Sequence, residues 1–244
     1  MKRAKILVIE GTDGSGKETQ SKRLLEHLES IGLKAKSYSF PIYNSPTGRI
    51  VGGPYLGKPE ISDSYFPETS ANVDPLVSSA YFVGDRRYNF LNEIEDEIYK
   101  NDIIILDRYT TSNMGHQACK AKTKEERDKI LRFIEVLEYD LYELPRPDKV
   151  IFLHMPFEAA KELRKGRTAG DGNENNESYL RHAEKTYVEI AQMYNWHYIN
   201  CIKTEEYKGV EDIKTIEEIS SEINDIVASL LEEEPSTIRR LTRF

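Results

Sequence analysis

The stretch Ile6-Leu7-Val8-Ile9-Glu10-Gly11-Thr12-Asp13-Gly14-Ser15-Gly16-Lys17-Glu18-Thr19 decides how the rest of this chain is read. Its apolar opening is a strand short enough to be buried on both faces. Glycines at 11, 14 and 16 then let the backbone curl with its N–H groups inward. A helical pattern follows at once, with Leu24, Leu25, Leu28 and Ile31 on one face and Gly32 as its stop. A strand, a G-x-x-x-x-G-K loop and a helix start, in that order, make a cradle for phosphate. The amides and the helix N-terminus attract the anion, and Lys17 reaches its outer phosphates. Gly11, Thr12, Asp13, Gly14, Ser15, Gly16, Lys17, Glu18 and Thr19 are therefore the candidate ATP-binding residues. This loop pattern ordinarily continues with a Ser or Thr whose hydroxyl ligates Mg²⁺, and here Glu18 stands in that place. A carboxylate is repelled by triphosphate. The expectation is that Glu18 faces solvent, Thr19 supports the helix start, and Mg²⁺ is held by phosphates, water and an acid elsewhere.

Outward from this loop, apolar runs of strand length alternate with helix-period segments. Strands are predicted at 36–40, 103–106, 150–153 and 196–201. Helices are predicted over 75–100, with Leu76, Ala80, Val83, Phe90, Ile94 and Ile98 inward; over Ile130, Ile134, Leu137 and Leu141; over 180–194; and over Ile216 to Leu230. Strands alternating with helices predict an α/β fold with a parallel sheet of five strands flanked by helices. One domain over 1–231 is expected, with loops at 52–72 and 166–176 and a polar tail at 232–244.

The 244 residues carry a formal net charge of −8, so no global positive field attracts a nucleic-acid polymer. Cys119 and Cys201 have no metal-ligand or C-x-x-C spacing and read as reduced. No stretch approaches the roughly 18 apolar residues of a membrane span, and the first strand is too short for a secretion signal. The protein is read as cytoplasmic, with no membrane partner.

Further motifs follow in order: Phe40-Pro41 after the second strand, Tyr81-Phe82-Val83-Gly84-Asp85-Arg86 on the long helix, Asp107-Arg108-Tyr109 closing the third strand, Ser112-Asn113, Leu144-Pro145-Arg146-Pro147-Asp148, and the basic segment from Arg164 to Arg167. With the G-x-D-G-x-G-K form of the loop, this set resembles the thymidylate kinase family over most of the chain. The resemblance implies a P-loop NTPase-type three-layer fold with strand order 2-3-1-4-5, ATP and dTMP as substrates, Mg²⁺ as cofactor and a homodimer. It implies that Asp13 contacts the acceptor's sugar, Phe82 stacks on thymine, and Arg86 and Asn113 read the base. Phe40, Tyr43 and Arg108 complete the dTMP site. Lys17, Asp107, Arg108 and Arg167 carry catalysis, with Asp107 also the candidate metal ligand. Arg164 and Arg167 belong to a lid over ATP at about 164–177.

The physics agrees with that division of labour. Phosphoryl transfer between two anions needs positive charge between them and exclusion of water. Phe82 and Arg86 are one helical turn apart and face the same way. The blander readings are a core position for Phe82, a surface ion pair for Asp107-Arg108, a solvated helix end for Arg164, and a surface position for Arg146. His116 is the one histidine expected near the acceptor.

Two departures limit the match. Ile42 and Tyr43 stand where many members place an arginine for the acceptor phosphate, which shifts that task to Arg108, with Arg49 or Arg86 and the Tyr43 hydroxyl in support. Gly14 stands where some relatives have a catalytic arginine, which puts more weight on Arg167. Three functions stay open at this point: a dTMP kinase; a deoxynucleoside kinase or broad deoxynucleoside monophosphate kinase; and a non-catalytic nucleotide-binding regulator.

Overall fold

The apolar runs become strands because each alternates its side chains between two separate helical layers. In the computed structural model, which describes residues 3–164 and 177–232, β1 (Lys5–Gly11) sends Leu7 and Ile9 to one face and Ile6 and Val8 to the other. The first face is covered by α1 (Lys17–Ser30) and α8 (Ile216–Glu232) through Leu24, Leu28, Ile219, Ile223 and Val227. The second is covered by α3 (Pro75–Asn89) and the turns after it, through Val83, Phe90, Ile94 and Ile98. β2 (Ala35–Ser39), β3 (Ile103–Asp107), β4 (Lys149–His154) and β5 (His197–Asn200) complete an all-parallel sheet of order β2-β3-β1-β4-β5. The strand order and the three layers expected from the sequence are those found.

The chain runs outward from β1 to one side of the sheet and then crosses to the other side for β4. Beside β1 its direction therefore reverses, which opens a crevice at the carboxyl ends of β1 and β3. Into that crevice project the loop after β1, the end of β3, and α4 (Thr110–Ala118). The remaining elements are α2 (Pro46–Ile50), α5 (Lys124–Glu135), α6 (Phe157–Arg164) and α7 (Glu177–Met193).

Several expectations change. The helix expected over 75–100 is α3, a π-helical turn at Phe90–Ile94 and a 3₁₀ turn at Glu97–Tyr99. Its first turns bury Ser78 and Ser79 and expose Leu76 and Ala80, because this part faces a polar loop and not the sheet. Beyond α5 a second π-helical turn, Val136–Leu141, adds a residue to the turn. Glu138 faces inward there, and Leu141, expected inside, is 68% exposed. Ile216, also expected inside, is exposed at the start of α8. The segment expected to be a loop from residue 52 begins instead as a π-helical turn, Val51–Tyr55, continuing α2. Residues 165–176 and 233–244 lie outside the described residues, and with them Arg167 and the polar tail.

The packing of α4 on α7 depends on a missing side chain. A Cβ at Gly115 would lie 2.1 Å from Tyr187 Cζ. The Tyr187 ring is buried and stacked on Phe152 at 5.7 Å, so it cannot give way cheaply. Gly115→Ala is expected to destabilise the protein by about 1–3 kcal/mol through overpacking, read as a fall of several degrees in Tm by calorimetry.

Candidate active site

The loop after β1 is held in place from two sides. Thr12 Oγ1 donates to Met155 O at 2.7 Å and accepts from Met155 N at 2.9 Å, fixing the loop to the end of β4. Glu10, fully buried, accepts from Gly11 N at 3.0 Å, Thr111 Oγ1 at 2.8 Å and Ser112 Oγ at 2.6 Å, fixing its root to the start of α4. Gly14 and Gly16 adopt φ of 79° and 80°, the left-handed region that favours glycine. α1 starts at Gly16 without any side-chain cap, so its first N–H groups are left for a ligand. Thr19 therefore does not cap the helix. It lies exposed on the wall of the crevice beside Glu18, which is exposed as expected.

Lys17 is buried and donates to Gly11 O at 2.8 Å and Thr12 O at 2.9 Å. Burial pushes its ammonium down to about 8, Arg108 adds to the push, and Asp13, Glu10 and Asp107 oppose it. Burial raises the Asp13 carboxyl, but Arg108 and Lys17 outweigh burial and hold it below its ordinary range. Arg108 Nη2 reaches Asp13 Oδ1 at 3.5 Å, with φ at Arg108 of 64°, a conformation costly for a side-chain-bearing residue and typical of functional sites. Asp107 Oδ2 accepts from Ser39 Oγ at 3.0 Å, and Oδ1 is buried with no partner among the described residues. Burial drives the Asp107 carboxyl above its ordinary value, against the pull of Arg108 and Lys17. An oxygen placed this way suits a cation bound mainly by substrate phosphates and water.

A cavity of about 830 Å³ runs from Asp13, Gly14, Gly16, Lys17, Glu18 and Thr19 past Phe40, Tyr43, Asp107 and Arg108 to Phe82, Arg86 and Asn113. The structure thus gathers most of the residues singled out in the sequence around one space. Gly11, Thr12 and Ser15 stand behind it in the loop's frame, and Arg49 is exposed and off its walls. Arg164 lines a separate narrow crevice with Thr12 and Asp13, its guanidinium 5.8 Å from the Phe157 ring centroid. His116 lines the main cavity and bonds Tyr179 through Nδ1 and the phenol oxygen at 2.9 Å.

The far wall holds residues that sequence reasoning missed. Arg86 is buried and ion-paired with Glu138, Nε donating to Oε2 at 2.8 Å and Nη2 to Oε1. Asn113 Nδ2 donates to the same Oε1 at 2.8 Å. Asp85, one residue before Arg86, accepts from Ile42 N at 3.2 Å and Thr47 Oγ1 at 3.0 Å, which fixes the turn carrying Phe40 and Tyr43. Tyr55, Leu56, Lys58 and Ser70 add to the cavity's walls. Tyr55 stacks on Tyr81 at 5.4 Å and meets Phe82 edge-on at 5.5 Å. Lys120 donates to Ser70 O at 3.1 Å, Val73 O at 2.8 Å and Ser78 Oγ at 3.1 Å. Lys58 sits 4.7 Å from the Tyr43 ring centroid. A signal for Glu10 was present in the sequence: a carboxylate ending an otherwise apolar strand directly before a phosphate loop.

The comparisons with known proteins meet this geometry. The family model for thymidylate kinase matches residues 9–213. The chain belongs to the thymidylate kinase family. The thymidylate kinase of Brachyspira hyodysenteriae is 28% identical over 217 residues, covering 88% of this chain and 95% of that one. That of Schizosaccharomyces pombe is 26% identical over 229 residues, 93% of each chain. Among solved structures, thymidylate kinase from Candida albicans superimposes with a TM-score of 0.66 at 18% identity, covering 95% of this chain and 94% of that one, a likeness of fold. Family membership makes this chain a nucleotide-binding phosphotransferase, a kinase that phosphorylates dTMP. The deoxynucleoside kinase and regulator readings are not favoured.

The lowered Lys17 has a measurable consequence. Bound triphosphate favours the ammonium form, so ATP binding takes up a proton once the free enzyme's Lys17 has begun to lose its own. Calorimetric titration with ATP in buffers of different ionisation enthalpy is expected to show negligible proton uptake at about pH 7 and clear uptake at about pH 8.5, with affinity falling as pH rises through that range. Lys17→Met should abolish the uptake.

Proposed function

We propose that this chain transfers the γ-phosphoryl group of Mg²⁺-ATP to the phosphate of dTMP within the cavity between the loop at 11–19 and the Arg86–Asn113 wall. The observation that carries this reading is the continuity of that cavity. Lys17 and the glycines of the phosphate loop stand at one end, the Phe82 ring with Arg86 and Asn113 at the other, and Arg108 between them. ATP lies with its phosphates on the loop and its nucleoside toward Arg164. The acceptor base lies against Phe82 and faces Arg86 and Asn113, its sugar is near Asp13, and its phosphate is by Arg108 and Tyr43. Lys58, stacked on Tyr43, adds positive charge on the side where Ile42 offers none.

The acceptor phosphate is already ionised, so an oxygen lone pair attacks the γ-phosphorus in line while the bond to the ADP oxygen breaks. No general base is required, and the protein's work is positioning and charge stabilisation. Arg108 has charge to lend because its partner Asp13 is a weak, 3.5 Å contact. Asp107 would hold Mg²⁺ through its unpartnered oxygen, and the ion when bound neutralises charge on the phosphate oxygens. Arg167, the further cation expected to neutralise the transferring phosphoryl group, lies outside the described residues. Among the described residues no helix is long and apolar enough to cross a membrane, and we place the enzyme in the cytoplasm.

We further propose a homodimer through α3. Val77, Ala80, Gly84, Tyr88 and Leu91 form an outward stripe at helical spacing. Val77 is 45%, Tyr88 40% and Leu91 47% exposed, and a Cβ at Gly84 would meet nothing within 4 Å. Such a stripe, with its central residue lacking a side chain, fits close approach of the same helix from a second copy.

In a coupled ADP-release assay, Arg108→Ala is expected to keep the fold and lower kcat with dTMP on the order of 10²-fold, with thymidine no substitute for dTMP. Asp107→Asn should raise the half-saturating Mg²⁺ concentration on the order of tenfold, whereas Glu18→Gln should leave it unchanged. The reverse pattern would move the metal ligand to Glu18. By sedimentation equilibrium the wild-type protein should be a dimer and Val77→Arg a monomer.

A further inference from the structure

The far wall of the cavity carries two carboxamides one helical turn apart on α4, Asn113 and Gln117. Both are 2% exposed and both line the cavity. Asn113 Oδ1 and Gln117 Oε1 are buried and have no hydrogen-bond partner among the described residues. A carboxamide can ordinarily turn over and present either its oxygen or its NH₂ to a ligand. Asn113 is denied that freedom. Its Nδ2 donates at 2.8 Å to Glu138 Oε1, and Glu138, fully buried and bound through both oxygens by Arg86, has only acceptors to offer. Turning the amide over would set its oxygen against a buried carboxylate oxygen, an unfavourable contact at low dielectric.

We propose that Glu138 is a specificity-setting positioning residue: it fixes Asn113 with its oxygen toward the base, so that the site selects a pyrimidine imide, whose N3 carries a proton, over a base whose N3 is an acceptor. The inference rests on the acceptor assignment above and deepens it. Thymine and uracil present an N–H flanked by two carbonyl oxygens. Asn113 Oδ1 accepts a hydrogen bond from that N–H, and the Arg86 guanidinium, held in plane by Glu138, is placed to serve a flanking carbonyl. Cytosine presents a bare N3 to the same oxygen, two acceptors face to face with no proton between them. Sites that leave a buried polar group unpaired reject the wrong ligand strongly. Glu138 touches neither substrate in this account. It acts through the two side chains that do.

The test is to reverse the polarity of the pair. Glu138→Gln supplies an NH₂ in place of one carboxylate oxygen: at the Oε1 position it meets the Asn113 NH₂ and turns that amide over, and at the Oε2 position it meets Arg86 Nε and releases the guanidinium, so in either orientation the donors and acceptors shown to the base are no longer fixed. With folding checked by circular dichroism, the ratio of kcat/KM for dTMP to that for dCMP is expected to fall on the order of tenfold or more, with dUMP following dTMP. The double variant Glu138→Gln with Asn113→Asp exchanges amide and acid between the two positions and keeps the cluster's charge. Its acid again shows the base only an acceptor, and the ratio is expected to return close to wild type. A folded Glu138→Gln that loses activity equally with all three acceptors, or a double variant that does not recover the ratio, overturns the proposal and leaves Glu138 as structural support only. A neutron structure of the wild-type protein with dTMP decides the matter if the variants do not fold. Deuterons on the Asn113 nitrogen toward Glu138, with bare oxygen toward N3, support the assignment, and the opposite orientation contradicts it. Absence of any phosphorylation of dTMP by the wild-type enzyme would instead sink the underlying functional reading.

Discussion

Two nucleotides cannot be brought phosphate to phosphate unless cations already stand between them, and the cations must be held apart while the site is empty. That constraint shapes the crevice. Lys17 and Arg108 are brought to the carboxyl ends of β1 and β3, Lys17 buried and Arg108 partly so, and leaving such charges uncompensated would be costly. Glu10, Asp13 and Asp107 supply the compensation, each by a different route. Glu10 accepts from three donors, which hold it in place. Asp13 makes a loose pair with Arg108 that a ligand can replace. Asp107 keeps one oxygen without a partner among the described residues. The three carboxylates offset the two cations, and the uncapped start of α1 adds the further attraction that draws in anions, so that little rearrangement is needed when they arrive.

The same economy governs the acceptor wall. Glu138 lies on a π-helical turn, and the extra residue of that turn is what rotates a carboxylate into the interior while Leu141 swings to the surface. Through Arg86 and Asn113 this one side chain joins α3 to α4, and through Thr111 and Ser112 the root of the phosphate loop is joined to α4 as well. α4 therefore touches both ends of the cavity. It is packed against α7 at Gly115, where a Cβ would press on the Tyr187 ring, so its position is set by close packing as well as by polar contacts.

The parts of this arrangement legible in the sequence are those with local signatures. Continuous apolar runs gave the strands, the glycine spacing gave the loop, and Phe82 and Arg86 at helical spacing gave one wall. What escaped depended on register and on distance. A period of 3.6 carried through 130–141 puts Leu141 inside, and only the π-helical turn puts Glu138 there instead. Helical periodicity carried through 75–100 puts Leu76 and Ala80 inside, whereas the first turns of α3 meet Tyr55 and Lys120 through Ser78. The helical start of the 46–55 segment was hidden by its three glycines and two prolines. The polar partners Glu10 with Thr111 and Glu138 with Asn113 join residues far apart in the chain, and no local pattern announces them.

The central claim is that one continuous, cation-lined space holds both nucleotides with their phosphates in contact. A single molecule in which the 5′ oxygens of adenosine and thymidine are joined by five phosphates should occupy both ends at once. Equilibrium binding of this molecule, compared with ATP and dTMP separately, is the most direct measurement. The account predicts binding much tighter than either nucleotide alone and loss of that advantage when Arg108 is replaced by alanine. Binding no tighter than ATP, with dTMP still able to bind alongside it, would mean that the two ends of the cavity do not form one site.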